Sequence, residues 1–284
     1  MVVNKMKQIS YDDSASLYLI PTPIGNLDDI TYRALKVLET VDILLCEDTR
    51  ETQKLLRHFN LNKKTMACHE YNEDKIKEKI ISLLKEGKNI GLVTDQGTPI
   101  ISDPGYIVVK EVINSGFNVI SLPGATAFVP ALTMSGIEPS PFLFYGFLNS
   151  KNSKQKEELK TLSRLKYTLI IYEAPHRLKN TLNNMLEILG DRKIALCREL
   201  TKIHEEVIRD NISNIIDIVD TLKGEFVLIV EGNKEEVDFS SLSIDEHVKM
   251  YIEDGLSEMD AIKKVAKERG VAKSIIYKEY HIGK

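Results

Sequence analysis

The sequence predicts an α/β fold in which two mixed domains are followed by a small helical unit. Three observations lead to this prediction. Short apolar runs alternate with amphipathic helical stretches in the first half of the chain. Residues 136–141, which are dense in turn formers, separate this half from a second mixed region. Residues 244–284 show no strand pattern. The length of 284 residues suits about two domains of ~150 residues each.

The first half is predicted to contain five strands that alternate with helices. Buried apolar runs predict strands at residues 17–20, 41–47, 65–68, 89–94 and 117–123. Apolar residues that recur every three or four positions predict helices at 31–39, 51–59, 74–86, 106–114 and 125–134. Gly87 follows the third helix at a capping position. Strands that alternate with helices are typical of a parallel sheet with helices on both faces.

The second half keeps the mixed pattern but is richer in strands. Strands are expected at 142–147, 167–173, 193–199, 205–210 and 225–232, and helices at 153–162, 174–189 and 213–222. The predicted organisation is a tail (1–16), a first α/β domain (17–136), a second α/β domain (137–232), a linker (233–243) and a helical domain (244–284). The turn after residue 268 contains Gly270 and joins two helices, as in a helix-turn-helix.

Composition excludes several classes of protein. A hydrophobic content of 43% with 28% charged residues excludes a disordered or a fibrous chain. No apolar run approaches the ~18 residues of a membrane-spanning helix, and the start lacks the apolar core of a secretory signal. We therefore expect a cytoplasmic protein. Cys46, Cys68 and Cys197 are few, distant and without a CxxC pair, so a reduced protein without a metal site is expected.

The net charge of -4 excludes nucleic-acid binding through overall charge alone. Two local regions are nevertheless basic. Residues 151–193 contain ten Lys and Arg against five Asp and Glu, and residues 263–284 contain seven against two. Each region is either a nucleic-acid contact or a solvated helix face.

Three loops of the first half are rich in glycine and proline. Residues 21–26, 94–105 and 122–127 follow the first, fourth and fifth predicted strands. Ligands of open α/β sheets bind where loops leave the carboxyl ends of strands, and glycine lets backbone approach a ligand closely. The loops therefore predict a small-molecule cleft. Neither GxxxxGK[ST] nor GxGxxG occurs there, which disfavours ordinary nucleotide sites and favours another cofactor held mainly by backbone groups.

The order of several sequence blocks indicates a family. PTPIGNLDDITYRAL, EDTRET, TDQGTPIISDPGYIVV, LPGATA, FYGFL, YEAPHRL, RELTKIHEE and GEFVLIVEG follow one another between residues 17 and 232. Together they resemble the ribosomal RNA small subunit methyltransferase I family of the tetrapyrrole methylase superfamily. LSEMDAIKKVAKERGVAKSIIYKEY is similar to the helical C-terminal domain of that family. The chain departs from the family pattern at Gln96 and in PGATA, and neither departure removes a glycine.

The resemblance implies a two-domain body with a non-Rossmann S-adenosylmethionine fold and the cofactor between the domains. It implies methyl transfer to the ribose 2'-hydroxyl of a cytidine in 16S ribosomal RNA, expected within the small ribosomal subunit. A homodimer without a metal or a membrane contact is also implied. By match to the family blocks, the cofactor residues would be Pro23, Asp95, Gly97, Thr98, Pro99, Gly124, Thr126, Phe147, Leu148, Tyr172, Glu225 and Phe226.

The methyl transfer that the resemblance implies requires aligned reacting groups and a base that accepts the hydroxyl proton. Methyl transfer from a sulfonium is an in-line displacement, and a poorly nucleophilic hydroxyl benefits from a positioned proton acceptor. Polar groups at loop ends give the candidates, which are Glu47, Arg50 and Asp103, with Glu173 and Glu199 in reserve. Structural alternatives stay open. Glu47 or Asp48 can cap the following helix, Asp103 can form a turn before Pro104, and Arg198 can pair with Glu199.

Cations near the same loops and in the terminal unit are candidates for RNA contacts. Arg177, Arg198 and Lys202 together with Arg50 suit phosphate or ribose contacts, and Lys263, Lys264, Lys267 and Lys273 form the basic part of the terminal unit. That unit can instead serve dimerisation or capping. Two other functions compete with the RNA methyltransferase, namely a precorrin-type tetrapyrrole methyltransferase and a non-catalytic ribosome-associated binding protein.

Overall fold

A computed structural model describes residues 7–10, 12–234, 242–253 and 255–282. The chain divides into two compact units, 1–233 and 234–284. Most of the predicted linker, at 235–241, and part of the predicted tail, at 1–6 and 11, lie outside the described residues.

The described residues form ten strands and eleven α-helices. The strands are Ser16–Leu19 (β1), Ile43–Cys46 (β2), Lys64–Ala67 (β3), Ile90–Val93 (β4), Asn118–Ser121 (β5), Phe142–Phe147 (β6), Thr168–Glu173 (β7), Lys193–Arg198 (β8), Glu206–Asn211 (β9) and Phe226–Val230 (β10). The helices are Tyr32–Thr40 (α1), Thr49–His58 (α2), Glu73–Lys85 (α3), Tyr106–Asn114 (α4), Phe128–Met134 (α5), Asn152–Leu162 (α6), Leu178–Leu189 (α7), Ile212–Ile216 (α8), Ile244–Glu253 (α9), Glu258–Glu268 (α10) and Lys273–Ile282 (α11).

The first sheet is parallel throughout, as the alternation of strands and helices predicts. Its strand order is β3-β2-β4-β1-β5. Successive side chains of a strand point to opposite faces, so Leu44 packs with α1 and α2 while Leu45 packs with α3 and α4. Because all strands run the same way, the loops after β1, β2, β4 and β5 leave from one edge of the sheet.

The second sheet is mixed. In the order β6-β7-β10-β8-β9, only β6 and β7 pair in parallel, and the other neighbours are antiparallel. One face packs on α6 and α7 through Leu159 and Leu182. The other face packs on α5 and on Ile24 from the loop after β1. This second contact brings loops of the first sheet against the second sheet.

Three helices differ from their predicted bounds. The helix predicted at 125–134 begins only at Phe128, and the one predicted at 174–189 begins at Leu178. A turn precedes α7, in which the Arg177 N–H donates to the carbonyl of Ala174 at 3.0 Å. The helix predicted at 213–222 is α8 followed by a 3-10 segment at Val219–Thr221. Apolar spacing continues through these turns, so periodicity alone extends the helices too far.

The terminal unit contains three helices around a small core. Val248, Ile262, Val265 and Ile276 are buried there. Helix α10 begins after Ser257, whose side chain caps it by accepting a hydrogen bond from the Asp260 N–H. None of the described helices is long and apolar enough to cross a membrane.

Candidate functional site

A cleft of about 440 Å³ opens where the loops of the first sheet meet the second sheet. This volume lies within the ~300–1,000 Å³ range of small-molecule sites. The first sheet contributes its loops after β1, β2, β4 and β5, and the second sheet contributes the ends of β6, β7, β8 and β10. The lining residues are Ile24, Glu47, Asp95, Gln96, Gly97, Thr98, Ile101, Ser102, Asp103, Thr126, Ala127, Phe147, Tyr172, Glu173, Ala174, Pro175, Leu200, Glu225, Phe226 and Val227.

Hydrogen bonds at Gly97 and Thr98 connect the three glycine-rich loops beside the cleft. The Gly97 N–H donates to the carbonyl of Thr22 at 3.0 Å, and the Gly97 carbonyl accepts from the Thr22 N–H at 2.9 Å. The next residue, Thr98, donates its hydroxyl to the carbonyl of Ala125 at 2.9 Å. Gly97 has φ +85°, and a Cβ there would lie 3.3 Å from Cγ2 of Ile24. Only glycine meets this backbone conformation without strain.

Three of the carboxyl groups that line the cleft come from loops of the first sheet, namely Glu47, Asp95 and Asp103. Burial is the main cause that raises the pKa of Asp103 to about 7, and the nearby Glu47 and Asp95 carboxylates contribute to the same rise. Burial is also the main cause that raises the pKa values of Glu47 and Asp95. At neutral pH the Asp103 carboxyl is therefore divided between its two protonation states. Such a group can accept a proton from a substrate hydroxyl and release it again.

An aromatic wall stands on the side of the second sheet. The rings of Phe147 and Tyr172 have centroids 5.6 Å apart at an interplanar angle of 68°. Phe144 lies behind Tyr172 with a centroid distance of 5.1 Å. Burial raises the pKa of Tyr172, whose hydroxyl also interacts with the Thr126 side chain. These edge-to-face rings give the cleft an apolar aromatic surface of the kind that a planar heterocycle contacts.

The structure brings together eight of the twelve expected cofactor residues. Asp95, Gly97, Thr98, Thr126, Phe147, Tyr172, Glu225 and Phe226 line the cleft. Pro23 lines a neighbouring cavity of about 330 Å³ instead. Pro99 and Leu148 are buried away from the lining, and Leu148 packs in the core of the second sheet. Gly124 allows close loop packing, since a Cβ there would lie 2.5 Å from the Cβ of Pro21.

The expected catalytic residues separate into two groups. Glu47 and Asp103 line the cleft, whereas Arg50 does not. The Arg50 side chain is 85% exposed, and its Nη2 lies 2.6 Å from Oδ2 of Asp48. Asp48 caps α2 by accepting from the Arg50 N–H, which confirms the capping alternative for that residue. The Arg50 hydrogen bonds lower the pKa of Asp48 to about 2. Asp103 is no helix cap, because the N-cap of α4 is Gly105.

Both reserve carboxylates are held by intramolecular contacts. Glu173 is fully buried and accepts from the Ala174 N–H at 2.8 Å and from the Thr181 hydroxyl. Its Oε1 also lies 3.2 Å from Nε of Arg177. Glu199 lies outside the cleft lining, and its pKa is lowered first by the hydrogen bond from the Glu225 N–H. Glu173 and Glu199 therefore have partners that suit a structural role.

The three body cations expected to contact RNA also make intramolecular contacts. Arg177 donates to the carbonyl of Leu148 at 2.7 Å. Arg198 pairs with Glu206 rather than with Glu199. Lys202 pairs with Glu199 at 3.2 Å and with Glu225 at 2.9 Å. In the terminal unit, Lys263, Lys264 and Lys267 are exposed and Lys273 is partly exposed.

Sequence reasoning missed several lining residues. Gln96 and Ser102 lie inside a loop that was singled out, so their position in that loop was the available signal. Leu200 and Pro175 belong to the second sheet and reach the cleft only through the packing of the two sheets. His69 was not among the candidates, yet it lies close enough to Glu47 to act in the direction of a lower pKa of that carboxyl group. Among the described residues, no group of three or more His, Cys, Asp or Glu side chains could hold a metal ion.

Comparison with known proteins finds a matching family model and several similar proteins with names. The family model described as Tetrapyrrole (Corrin/Porphyrin) Methylases matches residues 16–216. A Bacillus subtilis (strain 168) protein named Ribosomal RNA small subunit methyltransferase I is 49% identical over 97% of this chain and 98% of its own. A protein of the same name from Escherichia coli O157:H7 is 39% identical over 96% of this chain and 97% of its own.

Solved structures resemble the body of the chain in fold alone. The methyltransferase CobJ aligns with a TM-score of 0.60 and 14% identity, covering 77% of this chain and 95% of that protein. Diphthine synthase aligns with a TM-score of 0.60 and 11% identity, covering 80% of this chain and 94% of that protein.

Proposed function

The chain belongs to the tetrapyrrole methylase family, and we infer that it transfers a methyl group from S-adenosylmethionine to the 16S ribosomal RNA of the small subunit. The observation that carries this inference is the near full-length similarity, at 39–49% identity, to proteins named Ribosomal RNA small subunit methyltransferase I. We propose the ribose 2'-hydroxyl of a cytidine as the methyl acceptor.

The residues of the cleft fit this cofactor. Phe147 and Tyr172 suit stacking with an adenine ring, and the left-handed Gly97 leaves room for close backbone approach. The carboxylates of Glu47 and Asp95 favour a cationic ligand over an anionic one. When bound, the cofactor supplies a methyl group on a positively charged sulfur.

The residues of this chain supply alignment and a proton acceptor. The loops tied together at Thr22, Gly97 and Ala125 fix the relative positions of the reacting groups, which is the main requirement of an in-line displacement. We propose that Asp103 would accept the proton that the ribose 2'-hydroxyl loses when it takes the methyl group, with S-adenosylhomocysteine as the leaving group. Burial and the neighbouring carboxylates keep the pKa of Asp103 near the working pH, where a general base is most effective.

The assembly is proposed from the resemblance. We propose a homodimer that acts in the cytoplasm on RNA within the small ribosomal subunit, because ribosomal RNA is located there. We also propose that the boundary between the two α/β domains lies at 136–137, after α5 and before β6. Lys263, Lys264, Lys267 and Lys273 remain the proposed RNA contacts of the terminal unit, where Lys263 pairs with Asp260 and Lys264 lies over the Tyr251 ring. To bind RNA, Arg177, Arg198 and Lys202 would first have to leave their present partners.

Methyl transfer into purified subunits tests the function. Small subunits from cells that lack the enzyme are incubated with tritiated S-adenosylmethionine, and the RNA is then hydrolysed with alkali. A 2'-O-methylated ribose blocks cleavage of the next phosphodiester bond, so the label should appear in an alkali-resistant dinucleotide that contains cytidine. Subunits from wild-type cells are the matched control and should accept no label. Label on a base contradicts the proposal. In a second reaction that also contains a tetrapyrrole, label in the tetrapyrrole and none in the RNA contradicts it as well.

A further inference from the structure

Two exposed tyrosines lie beside the cleft without belonging to its lining. Tyr71 is 85% exposed and Tyr106 is 62% exposed. An exposed aromatic side chain leaves a large apolar surface in contact with water. One such side chain alone is ordinary on a protein surface, whereas two beside a functional cleft indicate a binding surface.

The two tyrosines lie at the starts of two helices that contact each other, α3 and α4. Tyr71 lies in the turn that precedes α3, and Tyr106 is the first residue of α4. The buried Glu73 carboxylate joins these helix starts by accepting from the Ile107 N–H at 3.0 Å. Each tyrosine is therefore within two residues of one shared contact.

Both tyrosines are also linked to the acidic part of the cleft. Tyr106 follows Asp103 by three residues, so their Cα atoms are at most about 11 Å apart. The ring of Tyr71 has its centroid 6.3 Å from that of His69, which lies close enough to Glu47 to influence the pKa of that carboxyl group. The surface that carries the tyrosines is thus continuous with the proposed position of the attacking hydroxyl.

We propose that Tyr71 and Tyr106 form a stacking platform for unpaired RNA bases next to the methylated nucleotide. The proposal rests on the proposed function and names the form of RNA that the site takes. Proteins recognise single-stranded RNA by stacking splayed bases on aromatic rings, largely without regard to sequence. A ribose has to leave a regular helix to enter a cleft between two sheets, so its neighbouring bases are available for such stacking.

Charges on the same helices suit the RNA backbone. Lys75 lies in the first turn of α3, four residues after Tyr71, and Lys110 follows Tyr106 by one turn of α4. Both lysines are exposed, and neither has an ion pair within the part of the chain that the structure describes. The nearby Asp74 carboxylate is paired with Lys77 at 3.0 Å. These two ammonium groups can contact phosphates on either side of stacked bases.

Direct binding tests the platform without relying on methyl transfer. The probe is a single-stranded RNA of about ten nucleotides with one 2-aminopurine, whose emission is quenched by stacking. Tyr71→Ala and Tyr106→Ala should each weaken binding about ten-fold and reduce the quenching. Phe variants should behave as the wild type, because a phenyl ring stacks without the hydroxyl. Affinity for the duplex of the same length should stay within about two-fold in every variant, since paired bases are not available for stacking.

Tyr32→Ala is the matched control. Tyr32 is also 85% exposed and is the first residue of α1, but α1 packs on the opposite face of the first sheet. This variant should bind both RNA forms as the wild type does. The platform is overturned if the wild type does not bind single strands, if the Ala variants bind them normally, if Phe variants lose as much as Ala variants, or if duplex affinity falls equally.

The platform and the proposed function can fail separately. The methyl-transfer proposal alone is contradicted if the wild type does not label small subunits while Tyr71→Ala and Tyr106→Ala lose single-strand binding as expected. Labelling by the wild type, together with normal single-strand binding by both Ala variants, contradicts the platform alone.

Discussion

Among single residues, Asp103 shows how position decides the role of a carboxyl group. The dipeptide Asp103-Pro104 is compatible with a turn as well as with a catalytic group. The structure leaves the N-cap of α4 to Gly105 and places Asp103 on the cleft beside Glu47. Burial, which depends on the packing of both sheets, is then the main cause that raises its pKa to about 7.

Asp103→Asn should lower turnover by about 100-fold, since a positioned base contributes ~10²–10⁴-fold. Wild-type turnover should rise with pH through about 7 as Asp103 ionises, and this step should vanish in the variant. The folded pKa is above the unfolded one, so ionisation costs stability as pH rises from about 4 to 7. The melting temperature of Asp103→Asn should therefore exceed that of the wild type by more at pH 8 than at pH 5.

Turnover at saturating cofactor and melting curves at both pH values check this prediction. Asp217→Asn, at an exposed position on the second sheet's side of the body, is the control and should change neither quantity. Unchanged turnover in Asp103→Asn would move the proton acceptor to Glu47.

Gly97→Ala should weaken S-adenosylmethionine binding, measured by calorimetry, about ten-fold or ~1.4 kcal/mol. Gly87→Ala is a matched control, because Gly87 has φ +81° against +85° for Gly97. Both substitutions meet the same left-handed backbone cost of roughly 1–2 kcal/mol in stability. A Cβ at Gly87 would have no neighbour within 4 Å, and Gly87 follows α3 away from the cleft. Equal cofactor affinity in the two variants contradicts the placement of Gly97 in the binding site.

At the scale of elements, the contacts at the start of α7 indicate that Arg177 has a structural role. Arg177 was expected to contact RNA, but it occupies the N-cap position and faces the buried Glu173. It also holds the loop after β6 by donating to the carbonyl of Leu148. A cation with these partners stabilises the junction of β6, β7 and α7.

Arg177→Ala should reduce the free energy of unfolding by roughly 3–5 kcal/mol, the typical cost of leaving a buried charge without its partner. Denaturant unfolding measures this change. Arg164→Ala removes an exposed arginine near the end of α6 and should leave the unfolding midpoint unchanged. If Arg177→Ala is as stable as wild type but binds small subunits weakly, the side chain acts in recognition after all.

At the scale of the whole molecule, the terminal unit is predicted to contribute RNA affinity through charge. Replacing Lys263, Lys267 and Lys273 by Gln should weaken subunit binding and make it less dependent on salt, because fewer counterions are released. Deleting residues 240–284 should have the same effect and leave cofactor affinity unchanged. A full-length variant with Lys154, Lys160 and Lys166 changed to Gln has the same net charge as the first variant. If this control weakens binding equally, the terminal lysines contribute no more than lysines of the basic region 151–193.

The sequence by itself determined the order and type of nearly all elements, including the parallel first sheet and the three glycine-rich loops. These features depend on residues close together in the chain, through apolar periodicity and turn chemistry. The same local patterns could not place the starts of α5 and α7, because apolar spacing continues into the loops before them. They also left open whether Glu47 or Asp48 caps the following helix, although Glu47 lines the cleft and Asp48 caps α2.

Only the tertiary structure decided which candidates share a site. Asp103 and Tyr172 are far apart in the chain, and the packing of two sheets brings both to one cleft. The raised pKa of Asp103 and the partners of Arg177 arise from that packing. Burial and charge interactions act between groups that are close in space, and closeness in space follows from the long-range contacts between sheets rather than from neighbouring residues.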